Sequence, residues 1–97
     1  MATFVVEYVY DPHGGERMDD LRPAHRAFLG GLVDQGVIKV FGPSPSPEGA
    51  PGAYVIMEAR SVSDAFELLE DDPFFVNDLI TERIARELTI VGGGFSS

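Results

Sequence analysis

Two side chains in this sequence combine a reactive type with an informative setting: His25 and Asp72. His25 falls between Leu21 and the Phe28–Leu29 pair on one stripe of a helical pattern. A polar ring there needs a hydrogen-bond partner. It is either a satisfied core histidine or an imidazole lining a pocket, and histidine is the side chain best suited to proton transfer near neutral pH. Asp72 precedes Pro73 at the expected end of a second helix, beside Glu70 and Asp71. Asp-Pro pairs commonly start turns, which is the plain reading. A carboxylate at a helix C-terminus also opposes the macrodipole, so a compensating partner is expected. If Asp72 accepts a hydrogen bond from one ring nitrogen of His25, it fixes the tautomer and leaves the other nitrogen as a base.

Other polar residues carry weaker signals. Arg22 lies one helical turn before His25 and either holds an anionic substrate group or is simply exposed. Ser44 and Ser46 sit in a proline-rich stretch and either offer hydroxyls to a ligand or are solvated loop residues. Arg86 interrupts an apolar face of the last strand, as a pocket cation or a rim residue, and His13 reads as surface. The acids at 70–72 lack the alternating order of a calcium loop, and Gly92-Gly93-Gly94 opens no helix that could cradle a phosphate. No metal or cofactor site is expected.

These residues need elements to hold them. Thr3 to Tyr10 is β-branched and aromatic and predicts a strand, closed by turn residues 11–15. Leu21, His25, Phe28, Leu29 and Leu32 form one face of a helix from about Asp20 to Gln35, with Pro23 in its first turn and Gly36 as its stop. Gly30-Gly31 inside that helix implies close backbone packing on a sheet. Val37–Phe41 and Ala53–Ala59 are the next strands, joined by a loop that holds four of the seven prolines. A second helix starts at the capping pattern Ser61-Val62-Ser63-Asp64, Phe74 to Ile80 forms a further turn or helix, and Glu82–Val91 is the last strand. The tail from Gly92 has no periodicity and is expected to be flexible.

The order β-α-β-β-α-β predicts an α+β, ferredoxin-like domain spanning 1–97, with an antiparallel sheet under two helices on one face. Apolar residues alternate onto both faces of the strands, so the uncovered face calls for a partner, most simply a second copy. Sixteen acids against seven bases give a net charge of −9, which argues against binding to nucleic acid or an anionic membrane. There is no cysteine for a disulfide, thiolate metal site or nucleophile, and no apolar run approaches a membrane span. The N-terminus lacks a signal pattern, so a cytoplasmic protein is expected.

Arg22-Pro23-Ala24-His25-Arg26-Ala27-Phe28-Leu29, then Gly36, Gly42-Pro43 and Asp72-Pro73-Phe74, resemble the YCII-related (YciI-like) family in order and spacing. The resemblance implies a dimeric α/β-barrel of ferredoxin-like subunits with an active site on a histidine and an aspartate, which fall at His25 and Asp72. It also implies dehydrochlorinase-like chemistry on chlorinated aromatics, on a fold shared with muconolactone isomerases. The expectation is cofactor-free elimination or isomerisation of a small ring substrate, with His25 as acid/base and Asp72 as its orienter. Arg22, Ser44 and Ser46 are expected at the substrate, and a second chain and a small molecule are the expected partners. The rival expectation is a non-catalytic module that binds a metabolite or another protein.

Overall fold

A computed structural model describes residues 1–94; the last part of the glycine-rich tail, 95–97, lies outside the described residues. Its elements are β1 (Ala2–Tyr10), α1 (Gly15–Asp34), β2 (Ile38–Pro43), β3 (Gly52–Ala59), α2 (Val62–Leu68), α3 (Pro73–Val76) and β4 (Ile80–Leu88). The strands form one antiparallel sheet in the order β2-β3-β1-β4, which is the ferredoxin-like arrangement. Alternation along β1 and β3 turns Phe4, Val6, Tyr8 and Tyr10, with Ala53, Val55, Met57 and Ala59, onto the helix-covered face, where all are buried. Leu29 and Leu32 of α1 and Ala65 of α2 complete this core with Leu69 and Phe74.

Three local features depart from the sequence-based expectation. First, α1 begins at Gly15, not near Asp20, so Pro23 lies in the helix interior. An interior proline normally costs about 3 kcal/mol. The helix extends past it because Met18 continues the buried stripe backward from Leu21 and His25. Second, the β2–β3 register shifts between Ile38 and Val40. This bulge at Lys39 lets Ile38 and Phe41 both face the core while Val40 turns outward at 43% exposure; strict alternation puts Ile38 and Val40 on one face. Third, a Cβ added at Gly30 or Gly31 meets nothing within 4 Å, so close packing does not explain this pair.

The helix ends follow known local rules. Gly36 adopts φ 78°, while Val37 N–H donates to Leu32 O and Gly36 N–H to Val33 O, closing α1 in a Schellman motif. Ser61 caps α2 by accepting from Asp64 N–H, as its sequence pattern predicts. The outer face of the sheet carries Val5, Val40, Tyr54, Ile56, Ile84 and Leu88, interrupted by Glu7 and Arg86. None of the helices covers it.

Candidate functional site

His25 is carried by the buried face of α1, and Asp72 stands just ahead of α3, which packs against α1. Their side chains meet. His25 Nδ1 donates to Asp72 Oδ1 at 2.7 Å, with His25 6% exposed and the aspartate wholly buried. The same oxygen accepts the backbone N–H of Phe74 at 3.0 Å.

Asp72 therefore has a different local role from the one expected. It does not end α2, whose last residue is Leu68; it is the N-cap of α3. A carboxylate there satisfies a free N–H and faces the positive end of the peptide dipoles, so the expected macrodipole penalty does not arise. Pro73 suits the first helical position, where no N–H is needed. The Asp-Pro-Phe triplet thus builds both the cap and the acceptor for His25.

Phe74 contributes its side chain as well. Its ring stacks on the imidazole at a centroid distance of 3.9 Å and an interplanar angle of 7°, and meets the Tyr10 ring edge-on at 5.5 Å. His25 is thereby held on one edge by a carboxylate and across its plane by an aromatic face. With Nδ1 turned toward fully buried Asp72, the ring's opposite edge, carrying Nε2, is the one available to the cavity that His25 lines.

That cavity has a volume of about 310 Å³ and lies between α1, the β2–β3 end of the sheet and the intervening loop. Met18, Leu29, Phe41 and Val55 make its walls apolar, and Pro43, Pro45 and Pro51 form part of its rim. Arg22 also lines it, while donating to Asp19 on the previous helical turn. Burial, reinforced by the Asp72 charge, pushes the Tyr10 phenol well above its ordinary ionisation range, with Arg22 acting weakly in the opposite sense. Tyr10 is therefore a neutral hydroxyl at this site.

The loop serines do not join this group. Ser44 and Ser46 line a separate hollow with Glu7 and Tyr54. Ser46 Oγ accepts from Ala50 N–H, and Ser44 N–H donates to Gly52 O, so both residues shape the hairpin loop. Arg86 lies opposite Val5 on the outer sheet face, away from the helices. Among the described residues, no three His, Asp or Glu side chains gather as a metal-binding group. Sequence reasoning missed Phe74, Tyr10 and Arg26 as lining residues. For Arg26 the signal was present, since it follows Arg22 by four residues and so shares its helix face.

A family model described as the YCII-related domain matches residues 2–89. Among solved structures, the chain is similar to 5-chloro-2-hydroxyhydroquinone dehydrochlorinase (TftG) from Burkholderia phenoliruptrix AC1100, in complex with 2,5-dihydroxybenzoquinone. Identity is 26%, the alignment covers 90% of this chain and 93% of that one, and the TM-score is 0.75. Two further likenesses concern the fold alone. An antibiotic biosynthesis monooxygenase is 10% identical, with 95% and 100% of the chains covered and a TM-score of 0.57. A dimeric ferredoxin-like protein of unknown function from Jannaschia sp. CCS1 is 13% identical, with 93% and 100% covered and a TM-score of 0.55. No curated protein matches the chain.

Proposed function

The chain belongs to the YCII-related family, and from that premise we propose that it is an acid–base enzyme that eliminates a leaving group from a small hydroxylated ring. The observation that carries this reading is the 2.7 Å contact between His25 Nδ1 and buried Asp72 at the edge of an apolar cavity. Asp72 fixes the proton on Nδ1, so Nε2 keeps its lone pair and serves as the base. The cavity matches a flat ring in character: its walls are mostly apolar, and its polar side chains include His25, Tyr10 and two arginines of α1, Arg22 and Arg26.

A dehydrochlorination runs through one such base. Nε2 takes a proton from a ring hydroxyl, the electron pair moves into the ring, and the imidazolium returns a proton to the carbon that bears chlorine. A second hydroxyl proton then passes to Nε2 as chloride departs with the C–Cl bonding pair. The sum is loss of HCl and formation of a quinone. Arg22 and Tyr10 both line the cavity, and a positive charge and a neutral O–H donor there stabilise the negative oxygen that develops between these steps.

The functional unit we propose is a homodimer. Val40, Tyr54, Ile84 and Leu88, each 38–43% exposed, leave an apolar face on a sheet with helices on its other side only. A second copy packed sheet to sheet covers that face.

Chloride release from 5-chloro-2-hydroxyhydroquinone, compared between the unaltered protein and His25→Ala, tests the chemistry. Turnover that drops by roughly 10²–10⁴ in the variant supports the reading. Equal turnover in both refutes it.

A further inference from the structure

The charge of the cavity lining runs against that of the chain. Acids outnumber bases sixteen to seven over the sequence, yet the lining contains no aspartate or glutamate, while Arg22 and Arg26 both belong to it. The two arginines are four residues apart on α1 and so stand on one helix face, on adjacent turns. Their charges are not equally compensated. Among the described residues Arg22 is paired with Asp19, whereas Arg26 has no carboxylate within salt-bridge distance. Arg26 is exposed and His25, the residue before it, is buried, so the lining runs from a cationic, solvent-facing end to the imidazole. Asp72, the carboxylate that meets His25, is wholly buried and is not part of the lining. A chain of net charge −9 repels anions at a distance, so affinity for one has to come from local positive charge of this kind.

We propose that Arg26 is a specificity-determining residue, and that the ring taken by this cavity carries a group ionised at neutral pH, a carboxylate being the simplest, in addition to the hydroxyls that react. The proposal rests on the reading of the cavity as the substrate site and names the charge of its ligand. The ionised group meets the guanidinium of Arg26 at the solvent-facing end, and Arg22, one turn earlier, adds positive charge beside it. A guanidinium suits this task because it stays charged and its planar fork offers two parallel N–H donors to a carboxylate. The ring then lies against the apolar walls that include Leu29 and Phe41, with its far edge toward His25. Anchoring one end fixes which ring carbon stands at the base, so the contact that gives affinity also sets orientation.

The test is isothermal titration calorimetry of the full chain at neutral pH with two rings of nearly equal shape and no leaving group: 2,5-dihydroxybenzoate and its neutral amide, 2,5-dihydroxybenzamide. The unaltered protein is expected to bind the acid at least about tenfold more tightly, as hydrogen bonds to a charged group warrant. That preference is expected to shrink as salt is added. Arg26→Gln removes an exposed side chain that has no acid partner among the described residues, so the fold is expected to persist and the preference to disappear. Equal affinity of the unaltered protein for acid and amide, binding of neither, or a preference undiminished in Arg26→Gln overturns the proposal. Failure of the acid–base reading is seen separately, as full turnover by His25→Ala, and leaves the preference for the acid in place.

Discussion

Phe74 holds His25 and Asp72 at once: its ring lies 3.9 Å above the imidazole, while its backbone N–H donates to the same Asp72 oxygen that accepts from Nδ1. The imidazole, the carboxylate and the covering ring are therefore coupled through one residue at the start of α3. Phe74→Ala removes the stack and leaves a hole in the core, and is expected to cost about 3–5 kcal/mol in denaturant unfolding. Phe74→Leu keeps most of the volume but no aromatic face. It is expected to retain a cooperative transition while lowering kcat more than it changes KM.

Asp72 has two separable duties. Asp72→Ala loses the N-cap of α3, worth about 1 kcal/mol, together with the acceptor for His25. Asp72→Asn retains an oxygen that can cap but no longer carries the charge that favours the Nδ1–H tautomer. The asparagine variant is expected to unfold close to the unaltered protein in thermal melts and to turn over at least ~10²-fold more slowly. Equal turnover in that variant contradicts the orienting role.

The pH dependence of stability on the alkaline side follows from Tyr8 and Tyr10. Both phenols are pushed above the ordinary value of 10.0, chiefly by burial and secondarily by the charge of Asp72. Their folded ionisation lies above their unfolded one, so their contribution is complete below about pH 10. It declines as pH rises from there toward the folded values, because the unfolded chain loses the protons first. Near-ultraviolet titration is expected to show two of the three tyrosines ionising only as the circular dichroism of the fold is lost. Free ionisation of all three in a folded protein contradicts their burial.

Gly30 and Gly31 lie inside α1 with open space where a Cβ would stand. Alanine at either site is expected to raise stability by about 0.5–1 kcal/mol, through lower backbone entropy in the unfolded chain. Asp78 gives the complementary case: it holds φ 59° where Leu79 N–H reaches Phe74 O and closes α3. Glycine there relieves a left-handed conformation and is expected to stabilise, as read by the shift in denaturation midpoint.

Much of this arrangement was legible in residue order. The period-2 alternation of Phe4, Val6 and Tyr8 and the helical stripe through Leu21, His25 and Leu29 place the core faces, since burial of those positions leaves few alternatives. The meeting of His25 with Asp72 was also readable, because a polar ring on an apolar stripe demands a partner. The start of α1 was not, because Pro23 imitates a first-turn residue and only Met18 marks the earlier turns. Nor was the bulge at Lys39, which depends on how β2 meets β3 and not on either strand alone. Ser44 and Ser46 had suitable hydroxyls, but both residues line another hollow, and Ser46 Oγ accepts from Ala50 N–H within the loop.

The most direct test of the central claim is a titration of 2,5-dihydroxybenzoquinone, paired with chloride release from 5-chloro-2-hydroxyhydroquinone, for the unaltered protein and His25→Ala. The pair in the cavity predicts that both proteins bind the quinone with affinities within about tenfold, because the apolar walls and arginines remain. It also predicts that the variant releases chloride more slowly than the unaltered protein, by roughly 10²–10⁴-fold. Binding of the quinone by neither protein, or equal chloride release by both, contradicts the claim that His25 and Asp72 work on a ring held in this cavity.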